Sequence, residues 1–126
     1  MKRVMIACII LCLLAAGCFF GHSTINRITV ASLSTVSDAI QAAEKNNALG
    51  AYSSLSRGQQ YWADSRAALG ALIDHGLIDQ VELLFCRALR YSESAEFKNL
   101  LPELAELCVV LECIRTAESL SIENIL

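Results

Sequence analysis

The chain has 126 residues, of which 55% are hydrophobic, and a formal net charge of −3 at pH 7. This length allows one small domain and excludes a catalytic core with a separate substrate domain. A single proline and six glycines argue against a loop-rich or all-β fold.

The N-terminus has the residue order of an export signal. Lys2 and Arg3 precede an unbroken apolar run over residues 4–20, and the small residues Ala15-Ala16-Gly17 come just before Cys18. This order predicts export across the cytoplasmic membrane. Because basic residues stay on the inner side, we expect the remainder of the chain at the outer face of the cell membrane, tethered by its N-terminus.

Two interpretations of residues 1–21 remain open. In the first, they form a signal peptide with a lipobox, because Leu14–Cys18 resembles a bacterial lipoprotein box and the Cys18 thiol would carry a diacylglycerol. In the second, they persist as a signal anchor, since 17 apolar residues are at the short end of what crosses a hydrocarbon core of about 30 Å. Either way, residues 24–126 form an extracytoplasmic domain beside the membrane.

The exported part is more acidic than the whole chain. Without Lys2 and Arg3, eight Lys and Arg residues stand against 13 Asp and Glu, a net charge of −5. An acidic domain repels phosphate backbones, so we expect no nucleic-acid partner. Nor do we expect charge alone to hold it on anionic lipids.

The six cysteines do not form a disulfide framework. Three of them lie in the apolar N-terminal run, which leaves Cys86, Cys108 and Cys113 in the domain. An odd number leaves at least one free thiol. Cys108 and Cys113 lie about 140° apart around one predicted helix, so they cannot pair with each other.

Helical periodicity predicts an all-α domain of four helices. Apolar residues recur every three to five positions in four segments between residues 24 and 120. We expect two antiparallel αα-hairpins, 24–75 and 77–120. The predicted core is centred on Trp62, Leu69, Phe85, Leu104 and Leu111.

Polar clusters mark the expected helix ends. Lys45-Asn46-Asn47 ends the first helix, and Ser92-Glu93-Ser94 ends the third. His75-Gly76 is expected to end the second helix, with the glycine in the left-handed conformation.

An offset of 48 residues relates the two hairpins. It aligns Leu49, Tyr52 and Ser53 with Phe97, Leu100 and Leu101. This pattern fits either an ancient duplication or two helices that share one packing period.

The densest polar cluster is a candidate ligand or metal site. It consists of Asp74, His75, Asp79 and Glu82. Carboxylates and imidazoles at this spacing can hold a divalent cation, so one alternative function is a small cation-binding or cell-wall-ligand-binding module. A turn separates these residues, and we favour a structural interpretation in which they stabilise helix ends, His75 at a C-terminus and the two later carboxylates near an N-terminus.

The fourth helix has a second apolar face, formed by Val109, Val110, Cys113 and Ala117. A helix that is apolar on two sides is usually buried on both. Either another helix of the bundle or a protein partner, possibly a second copy of the chain, covers this face.

No sequence motif for catalysis is present: no serine nucleophile elbow, phosphate-binding glycine loop, HExxH or paired CxxC. We therefore expect that the protein is not an enzyme and binds no cofactor. The function we expect is a non-enzymatic accessory or scaffold module, tethered to the membrane, that binds a protein partner.

These residues together resemble a known family. The residues that carry the resemblance are Trp62, Leu69, Ile73-Asp74-His75, Ile78-Asp79, Glu103-Leu104 and the ending Leu120–Leu126. They are similar to the domain-of-unknown-function 4363 family, short membrane-tethered helical proteins of spore-forming Gram-positive bacteria. The resemblance implies a helical domain outside a single N-terminal membrane segment, and it implies no activity. Typical members keep an uncleaved anchor, whereas Gly17-Cys18 here favours lipidation.

Overall fold

The structure, a computed structural model, describes residues 1–125, with side chains through Ala117. Its five helices are α1 (Lys2–Glu44), α2 (Ala48–Asp64), α3 (Arg66–Leu72), α4 (His75–Glu93) and α5 (Phe97–Ile125). Residues 1–125 contain no strand, which confirms the all-α class. The ending Leu120–Leu126 lies outside the described side chains.

The first helix carries both the apolar N-terminal segment and one helix of the bundle. Residues 1–20 are all exposed, and burial begins at Gly21. The helix is long and apolar enough to cross a membrane, with an 18-residue window of mean hydropathy 2.7. A signal sequence has the same composition. The expected N-terminal apolar helix is therefore present, and it continues into the bundle without a break.

Four helices pack in an antiparallel bundle. Helix α1 contacts α2 and α5, and α4 contacts the same two helices. Helices α1 and α4 lie on one diagonal and α2 and α5 on the other, since neither diagonal pair is in contact within the described chain. The short α3 extends α2 and contacts α1 and α4. This is the arrangement of two αα-hairpins expected from the periodicity.

The predicted core is confirmed. Its five central residues are fully buried: Trp62, Leu69, Phe85, Leu104 and Leu111. Trp62 also donates its indole N–H to the Ile78 carbonyl on α4, with an N–O distance of 3.4 Å. A large apolar side chain contributes about 1.5–3 kcal/mol when it is fully buried. Burial of this set therefore holds the two hairpins together.

The turns within the two hairpins share one backbone geometry. Asn46 and Ala95 have φ angles of 56° and 55°, in the left-handed region. In each turn the next residue donates its N–H to the carbonyl five residues back, at 2.8 Å from Asn47 and 2.9 Å from Glu96. These bonds define a Schellman turn. Alanine is strained in this conformation, so the hairpin imposes the turn at Ala95.

The two hairpins align with an offset of 49 residues, so the offset of 48 derived from the sequence is wrong by one. The new offset places buried residues on buried residues: Val36 on Phe85, Ala39 on Ala88, Leu55 on Leu104 and Trp62 on Leu111. It also superposes Asn46 on Ala95. A shared packing period alone would not align both helices and the turn between them, so the structure favours an internal repeat.

The expected end of the second helix is wrong in two respects. Helix α2 ends at Asp64, and α3 begins at Arg66 after a one-residue break. His75 is the first residue of α4, because Ile73 is extended (φ −130°, ψ 168°) and Asp74 occupies the N-cap position. The next residue, Gly76, has no left-handed φ.

Candidate functional site

The Asp–His turn lies at the end of the bundle that is nearest the apolar segment. Asp74 occupies the N-cap position of α4 and its side chain makes no capping bond. His75 packs its imidazole over Gly70 of α3, where an added Cβ would lie 3.2 Å from Cε1. His75 is therefore at a helix N-terminus, where a cation is disfavoured, and the role expected for it at a C-terminus is wrong.

The other two candidate ligands, Asp79 and Glu82, both bind Arg66 of α3. The Arg66 guanidinium donates to an Asp79 carboxylate oxygen at 2.9 Å and also donates to Glu82. Hydrogen bonds to these two carboxylates raise the pKa of Arg66 above its ordinary value. Sequence reasoning missed Arg66, which joins α3 to the first turns of α4.

These contacts divide the candidate metal site. Asp79 and Glu82 bind a guanidinium, whereas Asp74 and His75 form no hydrogen bond or ion pair with them in the described part of the chain. Among the described residues, no group of three or more His, Cys, Asp or Glu side chains is placed to hold a metal ion. The geometry therefore gives the Asp–His turn a structural role in joining α3 to α4.

The second apolar face of the last helix is present on α5. Val109 is 61% exposed, and Cys113 and Ala117 are exposed as well. Together with the half-buried Cys108 they line a shallow groove of about 520 Å³. Val110 was assigned to this face wrongly, because it is half-buried and packs against the core. No other helix of the described chain covers the remaining residues.

The thiols of this face are unpaired. All six cysteines of the chain are free, in agreement with the argument against a disulfide framework. Burial raises the pKa of the Cys108 thiol, and the nearby negative charge of Glu112 raises it further. The Cys108 side chain is therefore a neutral thiol at physiological pH and contributes an apolar surface to the groove.

The candidate lipidation site, Cys18, is exposed on α1. It lies one turn before Gly21, where burial in the bundle begins. The helix has no break between these two residues, so Cys18 and the bundle share one continuous helix.

The chain matches a known protein family. A protein-family model described as a domain of unknown function (DUF4363) matches residues 19–125. No curated protein and no solved structure matches the chain. The match begins directly after Cys18 and includes all the helices of the bundle. The chain therefore belongs to the DUF4363 family.

Proposed function

We propose that this protein is a non-enzymatic accessory or scaffold module, tethered at the outer face of the cell membrane, that binds a membrane-anchored protein partner. The tether is supported by the exposed apolar part of α1. Lys2 and Arg3 orient it with the bundle outside. Both forms of the tether, an uncleaved anchor or a diacylated Cys18, leave the bundle directly on the membrane.

The observation that carries partner binding is the uncovered groove on α5. An exposed valine beside a neutral thiol is apolar surface that water solvates poorly, and such surface commonly marks an interaction site. The polar residues Glu112 and Thr116 also line the groove. A contact with a polar rim around an apolar centre is typical of protein interfaces.

The position of the groove indicates where the partner comes from. Arg115 of α5 and His22 of α1 line one pocket, so they lie at the same height in the bundle. Because α5 runs antiparallel to α1 and rises about 1.5 Å per residue, Ala117 lies about 3 Å nearer the apolar segment than Arg115. The groove thus reaches the membrane end of the bundle, where a helix of another membrane-anchored protein, or of a second copy, emerges.

Photocross-linking in the native host tests this proposal. A photoreactive amino acid replaces Val109 in one variant and Gln60 in the other. Gln60 is the matched control, because the offset of 49 residues places it at the equivalent exposed position on α2. We expect a discrete adduct in the membrane fraction from position 109 only, and loss of the adduct when Cys113→Glu is added. Equal adducts from both positions, or none from position 109, contradict the proposal.

The alternative function, a cation-binding or cell-wall-ligand-binding module at the Asp–His turn, has less support. It requires Asp79 and Glu82 to leave Arg66. A thermal shift of the purified chain with divalent cations, lost in Asp79→Asn, would favour this alternative over the scaffold proposal.

A further inference from the structure

A polar pocket lies between α1 and α5 at the membrane end of the bundle. It has a volume of about 270 Å³ and is lined by His22, Asn26, Arg115 and Thr116. Its volume is below the range of about 300–1,000 Å³ that is usual for sites of drug-sized ligands. The pocket therefore suits a small polar group.

The lining groups have the chemistry of a phosphate site. Imidazole, carboxamide, guanidinium and hydroxyl groups all donate hydrogen bonds, and no carboxylate lines the pocket among the described residues. Arg115 uses Nε and Nη2 to bind Glu112, at 3.2 and 2.8 Å. Nη1 has no partner among the described residues, so it is free to bind an oxygen of a ligand. Guanidinium groups bind phosphate oxygens strongly.

One atom of the pocket lacks a partner. Nδ1 of His22 is buried and forms no hydrogen bond with any described residue. A buried polar atom without a partner costs free energy. Rotation of the His22 ring would bring this atom into the pocket and give it a ligand oxygen as partner.

The pocket opens at the depth of the headgroup layer of a bilayer. His22 follows Phe20, the last residue of the apolar run, by two residues, which is about 3 Å along the helix. Asn26 lies about 6 Å further. The polar layer on each side of a bilayer is about 5–7 Å thick, so His22 lies within it and Asn26, about 9 Å from Phe20, lies just beyond it. A diacylated Cys18 would leave the pocket at a similar depth, because Cys18 precedes His22 by one helical turn.

We propose that this pocket binds the phosphate group of a phospholipid headgroup at the outer surface of the membrane. The inference goes beyond partner binding and rests only on the tether. Its effect is to fix the height and rotation of the bundle relative to the bilayer, since one lipid is held between two helices. The net charge of the domain is negative, so a specific site rather than overall charge is responsible for the contact.

Titration of the full chain in uncharged maltoside micelles tests the proposal. The readouts are the NMR chemical shifts of the Asn26 side-chain amide and the Thr116 backbone amide. The added molecules are inorganic phosphate and short-chain phosphatidylglycerol. We expect a saturable shift with the lipid, at least tenfold weaker in Arg115→Gln, because a hydrogen bond from a charged donor is lost.

Two variants keep the test decisive. Arg27→Gln removes an exposed cation of α1 outside the pocket and should leave the lipid affinity unchanged. His22→Gln gives a second pocket variant, and circular dichroism confirms that each variant is folded. Absence of a saturable shift overturns the proposal, as does an equal loss of affinity in Arg27→Gln. Saturation by inorganic phosphate without saturation by the lipid overturns the lipid assignment. Val109 lies outside the pocket, so these outcomes leave the partner proposal separately testable.

Discussion

Gly58 of α2 lies close to side chains of both α1 and α4, and its replacement by alanine tests the packing directly. A Cβ at this position would lie 2.4 Å from Oγ1 of Thr35 on α1 and 3.0 Å from Cε1 of Phe85 on α4. Both distances are too short for unstrained contacts. The substitution therefore requires a shift of side chains or of the helices themselves.

The expected magnitude follows from two opposing effects. Alanine favours the helix over glycine by about 0.8–1 kcal/mol, whereas an extra methyl group in a packed core costs about 1–3 kcal/mol. The cost should be near its upper limit, because Thr35 is β-branched and its Oγ1 donates to the Ser32 carbonyl at 2.8 Å. Phe85 is fully buried and has little room to move. We expect Gly58→Ala to lower the free energy of unfolding by about 1–2 kcal/mol.

Urea denaturation of the full chain in uncharged micelles, followed by circular dichroism, measures this change. Gly76→Ala is the matched control, because its new Cβ meets only the exposed Asp74 side chain, whose Oδ2 lies at 3.2 Å. It should be neutral or stabilise by up to about 1 kcal/mol. Adding Thr35→Ala to Gly58→Ala removes the closest atom and should recover part of the loss. Equal stabilisation by the two glycine substitutions would refute the close packing of the three helices.

Three further predictions concern other parts of the bundle. Asn47→Ala removes the side-chain acceptor for the Gly50 N–H, at 3.0 Å, and should lower the free energy of unfolding by about 0.5–2 kcal/mol; an unchanged urea midpoint contradicts the cap. Arg66→Gln should speed amide hydrogen exchange in α3 without moving the midpoint of urea unfolding. Unchanged exchange in α3 would mean that the ion pairs of Arg66 do not hold α3 on α4. Cys108 should react with maleimide more slowly than Cys113 at mildly alkaline pH, since the raised pKa of Cys108 lowers its fraction of thiolate. Mass spectrometry of the labelled peptides measures both rates, and equal rates contradict the burial of Cys108.

The helices and the core were predictable because both depend on local spacing. An apolar residue every three or four positions places Leu104 and Leu111 on one side of α5, whatever packs against them. Both residues are fully buried. Trp62 was predictable for the same reason.

The helix ends and the site contacts were less predictable, because they depend on residues that are distant in sequence. Arg66 binds Asp79 and Glu82 only because α3 ends before Asp74 and the chain reverses there. His22 and Arg115 meet only after α1 and α5 have packed together. The offset between the hairpins was wrong by one residue because the turn residue Ala95 could not be recognised. Ala95 takes the same left-handed conformation as Asn46, and no glycine in the sequence marks it as the equivalent position.

The central claim is that the bundle lies at the outer face of the cell membrane. Labelling of native thiols tests this claim most directly. Cys86 and Cys113 are exposed on the bundle. In intact host cells, a membrane-impermeant maleimide should label both without permeabilisation. The double variant Cys86→Ser and Cys113→Ser should lose the label on these two positions, which mass spectrometry of the labelled peptides distinguishes from slower labelling of Cys108. Labelling that appears only after the membrane is permeabilised would place the bundle inside the cell and contradict the account.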